Sequence, residues 1–186
     1  FEAEASAVPA PDLLAPWVPD LAARLEGPLD LRARGGFAMQ DRETVLNTLT
    51  VKGDLTGGPG VLRAADWMEE ATPYLGRRQD LKDVDFSRLT HAFRLEQGRY
   101  HVEGLAIRGG ETDWEGAGWI DLTGSLEVAF SVKLPPGFVP ELGQWSFLAG
   151  GLKDDDGRIG LSFRLVGPTE RPEVRVDLAS MLRGAR

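Results

Sequence analysis

The side chains with chemical potential in this chain are few and scattered. His91 and His101 are its two histidines, ten residues apart in stretches that alternate as strands. A Ser-His-Asp site needs a serine presented at a sharp turn or beside a base, and no GxSxG-type elbow occurs. Asp154, Asp155 and Asp156 precede Gly157. A calcium loop needs ligands at alternate positions and a closing glutamate, which is missing here, so these residues read as a hairpin turn. Glu111, Asp113 and Glu115 would line one face of a strand. They read as a solvated face rather than as a glycosidase carboxylate pair. Gly57, Gly58 and Gly60 do not make a phosphate loop, because Pro59 removes one of the amides such a loop uses. No cysteine is present, which excludes disulfides, thiolate metal sites and a cysteine nucleophile. We therefore expect a non-enzymatic protein with no catalytic residue, metal site or cofactor.

The elements that would position such groups are mostly strands. In "GWIDLTGSLEVAFSVKLPP", Leu126, Val128, Phe130, Val132 and Leu134 occupy every second position. A strand turns successive side chains to opposite faces, so this one has an oily face and a mostly wet face. Leu161, Phe163 and Leu165, and then Val174, Val176 and Leu178, repeat the pattern. Two readings fit these stripes. They are the core of a sandwich covered by helices or a second sheet, or they are the wall of a groove open to acyl chains. Burial of apolar area drives both equally.

Along the rest of the chain, "FEAEASA" alternates Phe1, Ala3, Ala5 and Ala7 against Glu2, Glu4 and Ser6. It reads as a strand entered in its middle, and we expect the chain to be a piece of a longer or processed polypeptide. Leu14, Val18, Leu21 and Leu25 have helical spacing, but Pro16 and Pro19 limit the segment to short helices. "LDLRARGGFAM" and "VLNTLTVKGDLTGG" read as two strands around the turn "QDRE". Asp66 and Glu69 form a capping-box arrangement for a helix ending at Gly76, with Pro73 shortening or kinking it. From Phe86 to Leu178 the chain reads as nearly all strand, joined by turns at Gln97-Gly98, Gly109-Gly110, Thr123-Gly124 and Asp156-Gly157. Short links imply an antiparallel meander. The tryptophans read as core residues, and Trp119 faces away from Ile120 and Leu122. The expected fold is mainly β: a single domain over 1–186, with a curved, trough-like antiparallel sheet and one or two short helices.

Composition agrees with a folded chain. Of its 186 residues, 42% are hydrophobic and 27% charged, with 23 glycines and 12 prolines to make turns. The net charge of −8 disfavours a phosphate backbone, so no nucleic-acid partner is expected. No apolar run approaches the ~18 residues of a membrane span.

The order of several weak motifs resembles the C-terminal region of AsmA-like proteins. "VKGDLTGGPGVLRAADWMEEATPYLG" is similar to that family's strand-turn-helix segment. Phe86 and Leu89, Gly98, then Gly116, Gly118, Ile120, Asp121 and Leu122 resemble the family's next run of strands, with Gly167 and Pro172 at the final turn. The resemblance covers about residues 45 to 178. It implies an envelope protein of didermic bacteria, tethered to the inner membrane by an N-terminal helix outside this chain and projecting into the periplasm. Larger relatives, TamB-like proteins among them, are associated with phospholipid movement and outer-membrane biogenesis. The resemblance carries no catalytic residue. The function expected is the shielding of phospholipid acyl chains along an apolar sheet face. Leu126, Val128, Phe130, Val132, Leu161, Phe163, Leu165, Val174 and Val176 are expected to face the lipid. The alternative is a structural scaffold that pairs with other envelope proteins through its sheet edges.

Overall fold

Alternating runs dominate the chain, and they pair edge to edge. The computed structural model describes residues 1–16, 19–38, 44, 48–63, 83–138, 154 and 156–177. The strands are β1 (Glu2–Pro9), β2 (Leu25–Glu26), β3 (Pro28–Gly36), β4 (Thr50–Gly57), β5 (Gly60–Leu62), β6 (Val84–Phe86), β7 (Arg88–Glu96), β8 (Arg99–Arg108), β9 (Asp113–Asp121), β10 (Ser125–Lys133), β11 (Gly160–Pro168) and β12 (Glu173–Val176). Among the described residues two short helices, α1 (Ala10–Leu14) and α2 (Pro19–Ala22), follow β1. Pro11 fits the first turn of α1, where no amide partner is needed.

Among the described residues nine strands form one open antiparallel sheet, in the order β1-β3-β4-β7-β8-β9-β10-β11-β12. Three more form a small sheet, β2-β5-β6. The fold is mainly β, and the large sheet is a meander with two excursions. One carries α1, α2 and β2, and the other carries β5 and β6. Both leave and return at the same end of the sheet, where Pro9 pairs with Pro28 and Gly57 with Leu89. The link between β10 and β11 leaves from this end too, because Leu89, Ile107, Trp114, Val132 and Leu161 are successive cross-strand partners. At the opposite end short turns join β7 to β8, β9 to β10 and β11 to β12, and residues 37–49 link β3 to β4. Gln97 and Gly98, with φ of 51° and 70°, turn β7 into β8, as a primed turn requires.

The core follows from this arrangement. Leu25, Val84 and Phe86 of the small sheet, Ala10 of α1, and Leu134 and Ile159 of the β10–β11 link form one buried cluster with Leu29, Leu89, Ile107, Trp114, Val132 and Leu161. The excursions thus cap the apolar face at one end. Further along the same face the rows are less covered. Leu31, Leu55, Phe93, Leu95, Leu105 and Tyr100 are half-buried, whereas Ala3 on β1 and Phe1 just before it are exposed.

On this face phenylalanine repeatedly lies across a glycine. Phe93 pairs with Gly53 and Phe130 with Gly116. A Cβ on Gly53 would sit 2.6 Å from the Phe93 ring, and one on Gly116 would sit 3.0 Å from the Phe130 ring. Phe86 covers Gly60 in the small sheet in the same way. The bare backbone gives each ring a flat seat.

Three details differ from the sequence reading. Ala7 does not continue the alternation of β1. The Asp30 carboxylate accepts from Ser6 Oγ (2.9 Å) and from Ala7 N (2.7 Å), Ala7 takes a φ of 52°, and Val8 returns to the apolar face instead, opposite Leu29. These bonds hold the Asp30 carboxyl below its usual pKa. The second strand begins at Thr50 rather than near Leu46. Thr48 Oγ1 instead bonds the carbonyl of Thr44 at 2.6 Å and accepts from Ala38 N at 2.9 Å. The links at the capped end are also longer than a simple meander needs, and they fold into a second sheet. The helix expected from Asp66 to Gly76, the turn "QDRE" and most of the loop after Pro136 lie outside the described residues.

Candidate functional site

The large sheet has one apolar face and one charged face. All nine residues expected to face lipid lie on the apolar side. Val132 pairs with Leu161, Phe130 with Phe163, and Val128 with Leu165, while Val176 and Val174 flank Phe163 and Leu165 on the other side. Trp114 meets Phe130 and Phe163 edge-on at 6.4 and 6.0 Å, and those two rings stack at 5.4 Å. Val128, Val132, Leu161, Phe163 and Leu165 are buried, and Leu126, Phe130, Val174 and Val176 are half-buried. This part of the wall is therefore closer to core than to surface.

The more accessible part lies on β3, β4, β7 and β8, which the sequence reading did not single out. Its apolar phase includes Leu31 and Ala33, Val51 and Leu55, then Phe93 and Leu95, all half-buried. The signal was present but diluted, since Gly35, Gly53, His91 and Tyr100 occupy apolar-phase positions. Here His91, Phe93 and Tyr100 form an aromatic cluster with centroid separations of 5.4 to 5.8 Å. His91 Nε2 lies 2.5 Å from Tyr100 Oη. Burial pushes the His91 pKa down and the Tyr100 pKa up, so both groups favour their neutral forms.

The opposite face is a lattice of ion pairs. Arg94 bonds Glu103 at 2.8 Å and Glu96 at 2.5 Å, and Arg32 bonds Glu4 at 3.0 Å. His101 is on this face, 3.8 Å from Glu96. The two histidines thus point to opposite sides of the sheet and do not share a site. Glu115 pairs with Arg108, and Asp113 with Arg158 at 2.6 Å, so this acidic strand is met by cations. Trp119 is half-buried beneath the Arg99 guanidinium, 4.5 Å from its ring centroid. An open recess of about 580 Å³ on this face is lined by Glu127, Arg164, Glu173 and Arg175, which are already engaged with one another or with Asp177.

Asp154 caps a turn. Its Oδ1 accepts from the amides of Asp156 (3.1 Å) and Arg158 (2.9 Å), and Lys133 Nζ holds its Oδ2 at 3.0 Å. The Arg158 amide, then Lys133, lower its pKa. Gly157, with a φ of 72°, completes the turn. Among the described residues no group of three or more His, Asp or Glu side chains is placed to hold a metal ion. No helix among them is long and apolar enough to cross a membrane. No family model, curated protein or solved structure matches the chain.

Proposed function

We propose that the protein shields lipid acyl chains on the apolar face of its large sheet, without catalysis. The observation that carries this reading is that the apolar phase continues across the large sheet beyond the rows capped by the excursions, into rows that stay half-buried. Each methylene taken from water is worth ~0.8 kcal/mol, so an acyl chain needs no charged site to bind such a wall. Beyond the capped Leu89 row the wall runs along β7 from His91 to Leu95, about 14 Å at ~3.4 Å per residue, and it continues crosswise from β3 to β8. Drawing on the resemblance to AsmA-like proteins, our reading puts this activity on the periplasmic side of a bacterial inner membrane, in phospholipid transport or outer-membrane biogenesis.

Mass spectrometry of organic extracts from the purified protein tests the reading. Acyl lipids are expected with the wild-type chain and lost with Phe93→Asp, whose far-ultraviolet circular dichroism stays unchanged. A wild-type protein that carries no lipid and takes up none from vesicles overturns it.

A scaffold reading is favoured by one observation, the edge at β1 that is open among the described residues. Phe1 exchanges both backbone bonds with Gly35, at 2.8 and 3.0 Å. In an antiparallel ladder the amides and carbonyls of Glu2 and Glu4 then point outward, ready to pair with a strand of another envelope protein.

A further inference from the structure

The half-buried part of the apolar wall carries one polar pair, His91 and Tyr100. A neutral imidazole and a phenol bring two polar hydrogens between them. Their mutual hydrogen bond uses one. If Nε2 accepts from Tyr100, the second hydrogen is on Nδ1, which is buried and has no hydrogen-bond partner. If Nε2 donates, the second is the phenolic hydrogen, and Tyr100 has no partner but His91 among the described residues. Nδ1 is sealed off from solvent, so the donor a ligand can reach is the phenolic hydrogen of Tyr100. The Gly104 backbone approaches the ring and favours its protonated form without completing a bond to Nδ1.

Among the described residues no other group fills that phenolic donor. Phe93 stacks against both rings, and Leu55 and Leu105 are the cross-strand partners of His91. An unmet donor beneath hydrocarbon is unfavourable, and a ligand oxygen removes the penalty. The chemistry of that oxygen follows from charge. Arg32, Arg94 and Arg108 make their ion pairs on the other face, and the register puts no lysine or arginine on this one. A carboxylate would enter without a counter-charge, whereas a neutral carbonyl needs none.

We infer that Tyr100, held by His91, donates a hydrogen bond to the ester carbonyl of an acyl lipid lying on the wall, an inference that rests on the lipid-shielding reading. The test compares 1-palmitoyl-lysophosphatidylcholine with its 1-O-hexadecyl ether analogue, which lacks only the carbonyl, below their micelle concentrations. The wild-type chain is expected to bind the ester about five- to tenfold more tightly, as one hydrogen bond supplies. The double variant His91→Phe/Tyr100→Phe is expected to bind both lipids with the ether's affinity. The wild-type chain gives a second readout, because the ring-nitrogen resonances of His91 should move with the ester and not with the ether. Equal wild-type affinities, or an ester preference that survives the double substitution, overturn the carbonyl assignment and leave the lipid reading standing. Binding of neither lipid overturns both.

Discussion

A phenylalanine laid across a glycine is the smallest repeated device in this protein, and it makes a sharp prediction. Gly116→Val should drive a branched side chain into the Phe130 ring, because even a Cβ there would sit 3.0 Å away. Overpacking of this kind destabilises by about 1–3 kcal/mol. Urea unfolding should show a lower midpoint with an unchanged slope. His91 sets a second test at this scale. Burial lowers its folded-state pKa, so the unfolded chain binds a proton that the folded chain refuses. Its contribution is complete above the unfolded value of ~6.5 and falls as the pH drops below it, until the folded pKa is passed. The carboxylates with lowered pKa, Asp30, Asp121 and Asp154, act in the same sense but at more acid pH. Chemical denaturation at pH 7.5 and 5.5 should therefore show a loss in the wild-type chain that His91→Phe removes. An unchanged loss would mean that another group carries it.

At the scale of elements, Arg158 joins three segments. Its guanidinium donates to Asp113 Oδ2 (2.6 Å), to the carbonyls of Leu134 (3.0 Å) and Lys133 (3.0 Å), and to that of Glu111 (3.2 Å). It pins the start of β11 to the end of β10 and the approach to β9. Lysine cannot reproduce this fork. Arg158→Lys should lose about 1.5–3 kcal/mol, the range for hydrogen bonds to charged groups, read by thermal or urea unfolding. A change within ±0.5 kcal/mol would show the fork to be dispensable.

Elements were also where the sequence was most readable. The runs around Leu126–Val132 and Leu161–Leu165 showed their period because nearly every apolar-phase position is large. The hairpin at Gln97-Gly98 was visible because its backbone needs positive φ. The bulge at Ala7 was hidden, since it depends on Asp30, a residue 23 positions away. The small sheet was hidden too, because strands of two or three residues carry no period. The polar pair on the wall escaped notice for a related reason. His91 and Tyr100 come together only through cross-strand register, and each alone reads as an ordinary strand residue.

For the whole molecule, stability should be graded across the sheet. β9, β10 and β11 have both neighbours paired and bury Trp114, Val132, Leu161 and Phe163, while among the described residues β1 and β12 each have one free edge. Native-state hydrogen exchange should find the slowest amides on β9 to β11 and the fastest on β1 and β12. Slow exchange at Glu2 and Glu4 would instead reveal a partner strand already seated on that border.

Three of the long connections leave and return at a single border of the large sheet, and their described residues cover it. Among the described residues that border is covered, and β1 and β12 form the two flanks without a further paired strand. Such a surface is a shelf rather than a pouch. Among the described residues no element walls off either flank, so the natural path of a cargo resting there runs crosswise, from strand to strand.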